Sequence, residues 1–388
     1  MSQKIVYIGN FKFPDKNAAG KRVLGNCLLL KDLGYTPICI GSGSDESTEY
    51  EGIVCSSVKI SNVARVLGSG TEKIIGLLNS HKSELFAVIL YGAIFTQREN
   101  KKIVSWCKKN NIKVYYDQVD WFELNWHNPL RAIVRWYNHF LMNNRVIPKC
   151  DGVICISSFL ANYHGEKGMK TVIIPPLSSS ETSRDLAKPH FDTVNFVYAG
   201  TTTDVARPLS EWKDRIDIMF EALLEAKEKN DIRPFRFDIF GLTKEQYLRM
   251  FPEVHRKRGE QVLDNLGDNV IFHGLVPNSV AMAGVNSADF TVLIREKKRS
   301  TMSGFPTKVS ESLSCGTPVI CTDTSDLKKY IINGQNGYVC EIDELSKVYE
   351  TVLKLTDEQL LKLRENCFDN VFYYKCFTDK MKAFLEEK

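Results

Sequence analysis

The chain has 388 residues, of which 43% are hydrophobic and 25% charged, so it is long enough for two or three globular domains with sizeable cores. Its formal net charge is only +4, which gives no support to nucleic acid as a partner. The eleven cysteines include no CxxC pair and no Cys/His spacing of a zinc site, which favours reduced, mostly buried thiols in a cytoplasmic protein.

The first half of the sequence alternates between short apolar runs and helical or polar stretches. This alternation predicts an α/β fold with a parallel sheet covered by helices on both faces. We expect strands at Ile5–Gly9, Pro37–Ile40, Phe86–Tyr91, Lys113–Tyr116, Gly152–Ile156 and Thr171–Ile174. The N-terminus enters the first strand without a long apolar segment, so any association with a membrane is expected to be peripheral.

The loop after the first strand, FPDKNAAGKR, places Gly20 where a Rossmann-like turn needs close approach of the backbone. It contains no full GxGxxG motif, so dinucleotide binding is poorly supported. A plain turn into the first helix is the alternative interpretation of this glycine.

Two aspartates, Asp117 and Asp120, follow the strand at Lys113–Tyr116. Open α/β sheets bind ligands at the carboxyl ends of their strands, which makes both carboxylates candidate site residues. Aspartates after strands also serve as turn and cap residues, and that alternative stays open here.

A polar, turn-rich segment from Leu177 to Phe191 is typical of a linker, and the strand pattern then starts again. Strands are expected at Asn195–Gly200, Arg236–Phe240, Val270–Phe272, Asp289–Ile294, Pro318–Cys321 and Tyr338–Cys340. Two such starts predict two Rossmann-like domains, at residues 1–190 and 191–370. The last residues, from about 371 to 388, have the apolar spacing of an amphipathic helix.

The segment from Arg295 to Thr322, REKKRSTMSGFPTKVSESLSCGTPVICT, reads as loop, helix and strand. Pro306 and Gly316 mark a helix over about 306–315. Helical spacing puts these side chains on one face: Lys308, Glu311, Ser312 and Cys315. A lysine near a helix start that follows a Gly-containing loop makes phosphate the expected ligand, and Glu311 would then bind sugar hydroxyls.

The residues GFPTKVSESLSCGTPVI resemble the nucleotide-sugar site of the retaining GT-B glycosyltransferases, large family 4 (glycosyl transferases group 1). The resemblance covers most of residues 195–345. It implies two Rossmann-like domains that face each other across a donor and acceptor cleft. Relatives commonly send a final helix back to the first domain, which implies that role for residues 371–388. Closure of the cleft would exclude the water that otherwise hydrolyses the donor.

The resemblance also implies roles for individual residues. It places Lys213, Lys308 and Arg295 on the diphosphate, with Arg207 as a further candidate, and Glu311 on the ribose hydroxyls. The remaining implied donor contacts are Ser303, Gly304, Phe305 and Thr307 around the sugar, His273 and Gly274 of FHGLVPN beside the base, and Gly20 in the first loop. Asp120 resembles the acidic or histidine position near the acceptor. Many relatives carry two glutamates eight positions apart, and here Ser303 stands at the first position.

The implied reaction is transfer of a sugar from a nucleoside diphosphate sugar to a glycan or lipid-linked acceptor, with retention of anomeric configuration. The resemblance also implies that the reaction needs no metal, no other cofactor and no protein nucleophile. The leaving phosphate would take the proton of the acceptor. Such an enzyme would serve the synthesis of cell-surface polysaccharide or another glycoconjugate. Two alternatives remain: a GT-B sugar-nucleotide epimerase, and a non-catalytic protein that binds nucleotide sugars.

The segment from Trp121 to Lys149 mixes aromatic residues with cations. The aromatics are Trp121, Phe122, Trp126, Trp136, Tyr137 and Phe140, and the cations are Arg131, Arg135, Arg145 and Lys149. Pro129 would open a helix here. One hypothesis is contact with the inner face of an anionic membrane, released by Arg131→Glu with Arg135→Glu. In the other, the aromatics pack against the first domain and the arginines are its solvated face.

Overall fold

The computed structural model describes residues 3–14, 17–42, 47–59, 70–92, 97–122, 129–179, 192–201, 205–229, 231–369 and 371–386. The chain divides into two compact units. The first consists of Met1–Ser179, Met302–Phe305 and Phe372–Lys388, and the second of Ser180–Thr301 and Pro306–Val371.

The first unit is built on an eight-stranded sheet. Its strands are β1 (Lys4–Gly9), β2 (Thr36–Ser42), β3 (Ser47–Tyr50), β4 (Ile53–Val58), β5 (Leu85–Tyr91), β6 (Lys113–Gln118), β7 (Gly152–Cys155) and β8 (Thr171–Ile173). Their order is β3-β4-β2-β1-β5-β6-β7-β8, and every pair is parallel except β3 with β4. The central strand β1 is apolar and buried along almost its whole length, as expected of a parallel strand with both faces covered.

Helices α1 (Ala18–Asp32), α2 (Thr71–His81), α3 (Gln97–Lys109), α4 (Pro129–Leu141) and α5 (Ser158–Gly165) lie between these strands along the chain. Asn17 caps α1, because its side-chain oxygen accepts the Gly20 N–H at 2.8 Å. As predicted, a helix begins at Pro129. It continues past Leu141 as a π-helical turn, Met142–Val146, and a 3₁₀ turn, Ile147–Lys149.

The second unit is built on a six-stranded parallel sheet. Its strands are β9 (Val194–Ala199), β10 (Phe235–Phe240), β11 (Val270–Gly274), β12 (Phe290–Leu293), β13 (Val319–Thr322) and β14 (Gly337–Cys340), in the order β11-β10-β9-β12-β13-β14. The helices after Ser180 are α6 (Ile216–Lys227), α7 (Lys244–Met250), α8 (Glu253–Leu266), α9 (Asn278–Ser287), α10 (Arg299–Ser303), α11 (Thr307–Ser314), α12 (Leu345–Val352) and α13 (Asp357–Glu365). Aromatic rings fill the core around Phe196, which contacts the rings of Phe237, Phe290 and Tyr349.

The last helix, α14 (Thr378–Glu386), packs on the first unit. The ring of Phe384 lies 5.0 Å from that of Tyr115 on β6, and Lys113 donates to the Leu385 carbonyl at 3.2 Å. Sequence analysis places the start of this helix too early. Tyr373 pairs with Ser178 in an isolated β-bridge, and a 3₁₀ turn over Tyr374–Phe377 precedes the helix.

All the strands predicted from the sequence are present, to within one or two residues at their ends. The pair β3 and β4 is missed. Strand β3 is polar and exposed along its length at the sheet edge, so it lacks an apolar run. The prediction that most cysteines are buried is confirmed, since nine of the eleven are buried. Among the described residues no helix is long and apolar enough to cross a membrane.

Candidate functional site

The carboxyl ends of the central strands of the second sheet are tied together by backbone hydrogen bonds. The Gly200 N–H donates to the Phe240 carbonyl at 3.0 Å, and the Gly241 N–H donates to the Gly274 carbonyl at 2.7 Å. The Arg215 N–H donates to the Ile294 carbonyl at 2.8 Å, which fixes the loop before α6 to the end of β12. Ligands of open α/β sheets bind at this edge.

A buried carboxylate, Asp214, is the centre of a charged cluster at this edge. Its oxygens lie 2.7 Å from Lys308 Nζ and 2.7 Å from Arg295 Nε. The Tyr198 hydroxyl at the end of β9 donates to it at 2.8 Å. Loop, helix and strand ends therefore bring two cations and one anion together, so the cluster carries one net positive charge.

Burial and charge act in opposite directions on Asp214. Burial raises the pKa of its carboxyl, but the attraction of Lys308 and Arg295 outweighs burial and holds the pKa well below its ordinary range. The carboxylate is therefore ionised at neutral pH. Charge-assisted hydrogen bonds to an ionised carboxylate are about twice as strong as neutral ones, so Asp214 fixes both cations.

Gly200 leaves the space that the Lys308 side chain occupies. A Cβ atom at this position would lie 2.3 Å from Lys308 Cε and 2.5 Å from Nζ. The ammonium lies over the Tyr198 ring, 4.9 Å from its centroid. The lysine is thus held between a glycine, an aromatic ring and a carboxylate, with 19% of its side chain exposed.

Helix α11 presents Lys308 and Glu311 one turn apart, and both are half-buried. Its start and end match the sequence signals: Pro306 is the N-cap, and Gly316 follows the end with a positive φ of 73°. Ser312 follows Lys308 by one turn on the same face of the helix, as predicted. It is buried and its hydroxyl donates to the Thr317 carbonyl at 2.8 Å.

The predicted cations differ in their surroundings. Arg295 is buried, and its backbone is held by Thr322, whose hydroxyl accepts its N–H at 2.8 Å and donates to its carbonyl at 2.7 Å. Lys213 is exposed although its neighbour Asp214 is buried. Arg207 is half-exposed, and its N–H donates to the Met250 carbonyl at 3.1 Å.

The strand that ends in FHG, β11, carries the residues predicted beside a base. His273 Nε2 lies 2.5 Å from Asp238 Oδ1, and its ring stacks on Phe240 at 4.3 Å with an interplanar angle of 9°. Gly274 has a positive φ of 66°, donates to the Leu242 carbonyl and accepts from the Gly241 N–H. A flat ring stack and a tightly bonded backbone therefore form this end of the strand.

Residues Met302–Phe305, just before α11, belong to the first unit, whereas Lys308 and Glu311 belong to the second. The Ser157 hydroxyl donates to the Ser303 carbonyl at 2.5 Å. The Phe305 ring lies 5.6 Å from that of Phe372. Ser303, Gly304 and Phe305 are buried, whereas Thr307, the first residue of α11, is half-buried.

The predicted site residues Gly20 and Asp120 both belong to the first unit. Gly20 lies in the first turn of α1, and a Cβ there would lie 2.2 Å from the Lys12 carbonyl oxygen, which is the close approach of the backbone expected from the sequence. Asp120 is exposed just beyond β6. Asp117 is inside β6, fully buried, and paired with Arg22 at 2.6 Å, so it is part of the core network.

Sequence reasoning selected Lys213 and passed over Asp214, Tyr198 and Gly200. A usable signal was present, since an aspartate between a lysine and an arginine in WKDRID precedes a helix of the site. The pairing itself joins residues 94 positions apart and needed the structure. Among the described residues no group of three or more His, Cys, Asp or Glu side chains is arranged to hold a metal ion.

A family model matches the part of the chain that contains the charged cluster. Residues 202–358, which contain Asp214, Arg295, Lys308 and Glu311, match the family model described as Glycosyl transferases group 1. This part of the chain is similar to the glycosyl transferases group 1 family. This confirms the family resemblance of the sequence. A trehalose phosphorylase of Grifola frondosa is 44% identical over 62 residues, which are 16% of this chain and 8% of that relative.

Solved structures resemble the whole chain. Sucrose-phosphate synthase of Thermosynechococcus elongatus has a TM-score of 0.65 at 16% identity, over 98% of both chains. A glycosyltransferase of Rickettsia africae gives 0.64 at 14%, over 100% of both. HepE of Anabaena, in complex with UDP and glucose, gives 0.61 at 15%, over 100% of both. At these identities the likeness establishes the fold. The predicted α/β fold with two Rossmann-like domains, GT-B, is confirmed.

Proposed function

We propose that this protein is a glycosyltransferase that moves a sugar from a nucleoside diphosphate sugar to a glycan or lipid-linked acceptor, with retention of anomeric configuration and without a metal or other cofactor. The observation that carries the proposal is the convergence of Lys308 and Arg295 on buried Asp214 at the ligand-binding edge of the group 1 domain. HepE was solved with UDP and glucose, so a UDP-sugar is the first donor to test.

The charges of the cluster suit the departure of a diphosphate. Cleavage of the anomeric C–O bond passes through an oxocarbenium-like state and builds negative charge on the leaving group. Lys308, paired with Asp214 at 2.7 Å, offsets that charge together with Arg295 and the exposed Lys213. Glu311, one turn along α11, binds the ribose hydroxyls, and the leaving phosphate accepts the proton of the acceptor hydroxyl. This sequence of events needs no protein nucleophile.

The proposed setting is the synthesis of cell-surface polysaccharide or another glycoconjugate, in the cytoplasm at the inner face of the membrane. Asp120 contacts the acceptor in this scheme, because it is exposed beyond the carboxyl end of β6. The donor contacts proposed for Ser303, Gly304, Phe305, Thr307, His273, Gly274, Gly20 and Arg207 follow from the family resemblance.

The decisive experiment is a thermal-shift screen of nucleotides and nucleotide sugars, followed by product analysis. A ligand at 100 times its Kd stabilises the native state by about 2.7 kcal/mol, which is readily measured. We expect one nucleoside diphosphate and its sugar to stabilise the chain, and slow donor hydrolysis or transfer to added glycan. No stabilisation by any nucleotide would contradict the proposal. Isomerised sugar nucleotide without acceptor would establish an epimerase, and binding without turnover a binding protein.

Two substitutions separate the proposed roles within the site. Glu311→Ala removes charge-assisted hydrogen bonds to the ribose, each worth roughly 1.5–3 kcal/mol, so nucleotide affinity falls about 10-fold or more while the fold is kept.

Lys308→Ala lowers kcat more than it weakens binding, because the phosphate charge grows in the transition state. Unchanged affinity in folded Glu311→Ala, or equal losses of binding and kcat in Lys308→Ala, would overturn the assigned role.

A further inference from the structure

Helix α4 turns its apolar side chains toward solvent. Five of them are each between 44% and 55% exposed: Ile133, Val134, Trp136, Tyr137 and Phe140. They recur at helical spacing, so they form one stripe, and the rings of Trp136 and Phe140 stack at 5.8 Å. The expectation that these aromatics pack against the first domain is wrong. Trp121, in contrast, packs within the unit against Tyr163.

A basic groove lies at the C-terminal end of this stripe. It has a volume of about 900 Å³, and Leu141, the last residue of α4, is part of its wall. The described residues that line it include five exposed cations from α3 and from the turns after α4: Arg98, Lys101, Lys102, Arg145 and Lys149. Glu72 lines it too and pairs with Lys102 at 3.2 Å. The groove therefore carries a strong positive charge next to an apolar face.

We propose that this surface docks on an anionic phospholipid bilayer: the groove binds lipid phosphates while Trp136, Tyr137 and Phe140 enter the interfacial layer. Aromatic side chains favour that layer because one end of the ring is apolar and the other polar, and nearby Lys and Arg are attracted to anionic headgroups. The proposal deepens the proposed function, since a docked enzyme reaches a lipid-linked acceptor without a membrane span.

Charge favours a bilayer over a second copy of the chain. In a twofold dimer the same patch meets itself, so an apolar contact through α4 would bring two strongly basic grooves close together. Lysine is also depleted in the core of protein interfaces. A bilayer of anionic lipids complements both the apolar stripe and the basic groove. Its acyl chains contact the stripe while its phosphates bind in the groove.

The test is flotation of the full chain with vesicles of phosphatidylglycerol and phosphatidylcholine, compared with phosphatidylcholine alone. We expect binding to the anionic vesicles at low salt, weakened by salt, and a blue shift of tryptophan emission that Trp136→Phe removes. Arg145→Glu with Lys149→Glu should lower the partition coefficient at least about 30-fold, because neutralising two cations at an anionic surface alone has this effect. Trp136→Ser with Phe140→Ser should weaken binding at every salt concentration.

Matched controls separate this proposal from the proposed function. Lys229→Glu with Lys257→Glu makes the same change of net charge on exposed sites of the second unit, and should leave vesicle binding unchanged. The nucleotide-induced thermal shift should be unchanged in the groove variant, and Glu311→Ala should still bind vesicles. The proposal is overturned if the wild-type protein does not bind anionic vesicles at low salt. It is overturned equally if Trp136→Ser with Phe140→Ser only converts a dimer to a monomer, or if glycerol phosphate binds the groove while vesicles do not.

Discussion

Asp214 orders the charged cluster at the edge of the second sheet, and it also opposes the binding of an anionic ligand there. The carboxylate holds Lys308 and Arg295 at 2.7 Å each, so an incoming diphosphate competes with it for the same two cations. Its burial means that the two positive charges would be poorly solvated without it. The residue is therefore expected to weaken ligand binding and to stabilise the fold at the same time.

Asp214→Asn should reveal this double role. Loss of one partner from a buried ion pair typically destabilises a protein by about 3–5 kcal/mol, so we expect a lower melting temperature. Nucleoside diphosphate or pyrophosphate should restore part of the loss, because its phosphates replace the missing charge. The measurement is the ligand-induced thermal shift, which should be larger for the variant than for wild type.

Exposed Asp268 supplies the control, since Asp268→Asn should change neither quantity. The pH dependence follows from the depressed pKa of Asp214: its stabilisation is present above about pH 4, the ordinary pKa of a carboxyl group, and is lost as pH falls below that value. The difference between wild type and Asp214→Asn should thus shrink in acid. A smaller ligand-induced shift in the variant would show instead that Asp214 only positions Lys308.

His164 makes the first unit sensitive to mild acid. Its Nε2 lies 2.5 Å from Gln118 Oε1, and its buried Nδ1 has no hydrogen-bond partner among the described residues. Burial lowers the pKa of His164 to about 4. An unfolded histidine takes up a proton near pH 6.5, so the unfolded state gains stability as pH falls from about 6.5 to about 4.

His164→Gln should remove this sensitivity while keeping a polar group toward Gln118. We expect the fall in unfolding free energy between pH 7.5 and pH 4.5 to be smaller in the variant by roughly 2–3 kcal/mol. Urea unfolding at the two pH values, followed by a probe in the first unit, measures it. The exposed His255 provides the matched variant His255→Gln. An equal fall in wild type and His164→Gln would contradict the argument.

At the scale of elements, the end of β9 packs closely against the start of α11 because Gly200 has no side chain. Gly200→Ala would push its Cβ into the Lys308 side chain, whose far end can move aside. We therefore expect weaker nucleotide binding, measured by calorimetry. Gly76→Ala on α2 is the control, because its Cβ would meet no atom within 4 Å. Full affinity in Gly200→Ala would mean that the position of Lys308 does not matter for binding.

The sequence predicts the elements of this fold better than it predicts the site. Apolar runs such as Ile5–Gly9 identify buried parallel strands, and Pro306 with Gly316 delimits α11, because these signals are local. The polar β3 carries no such signal. Asp214 could not be predicted as the centre of the cluster, since its burial and its two partners depend on contacts between distant parts of the chain.

At the scale of the molecule, the first unit is completed by a late part of the chain. Phe384 on α14 is buried against Tyr115, and a Cβ at Gly152 would lie 2.8 Å from its ring. Phe384→Ala should destabilise the first unit by about 3–5 kcal/mol, the usual cost of truncating a buried phenylalanine. Thermal melting measures it, with the exposed Lys382→Ala as control. Equal melting temperatures for the two variants would show that α14 contributes little.

This arrangement has a consequence for biosynthesis. Helix α14 leaves the ribosome after every residue of the second unit, so the second unit can fold while the first still lacks the side chains that cover Tyr115. Until α14 arrives, an apolar surface around β6 remains open to solvent and to chaperones. In the order of translation, the first unit therefore begins before the second unit but is completed after it.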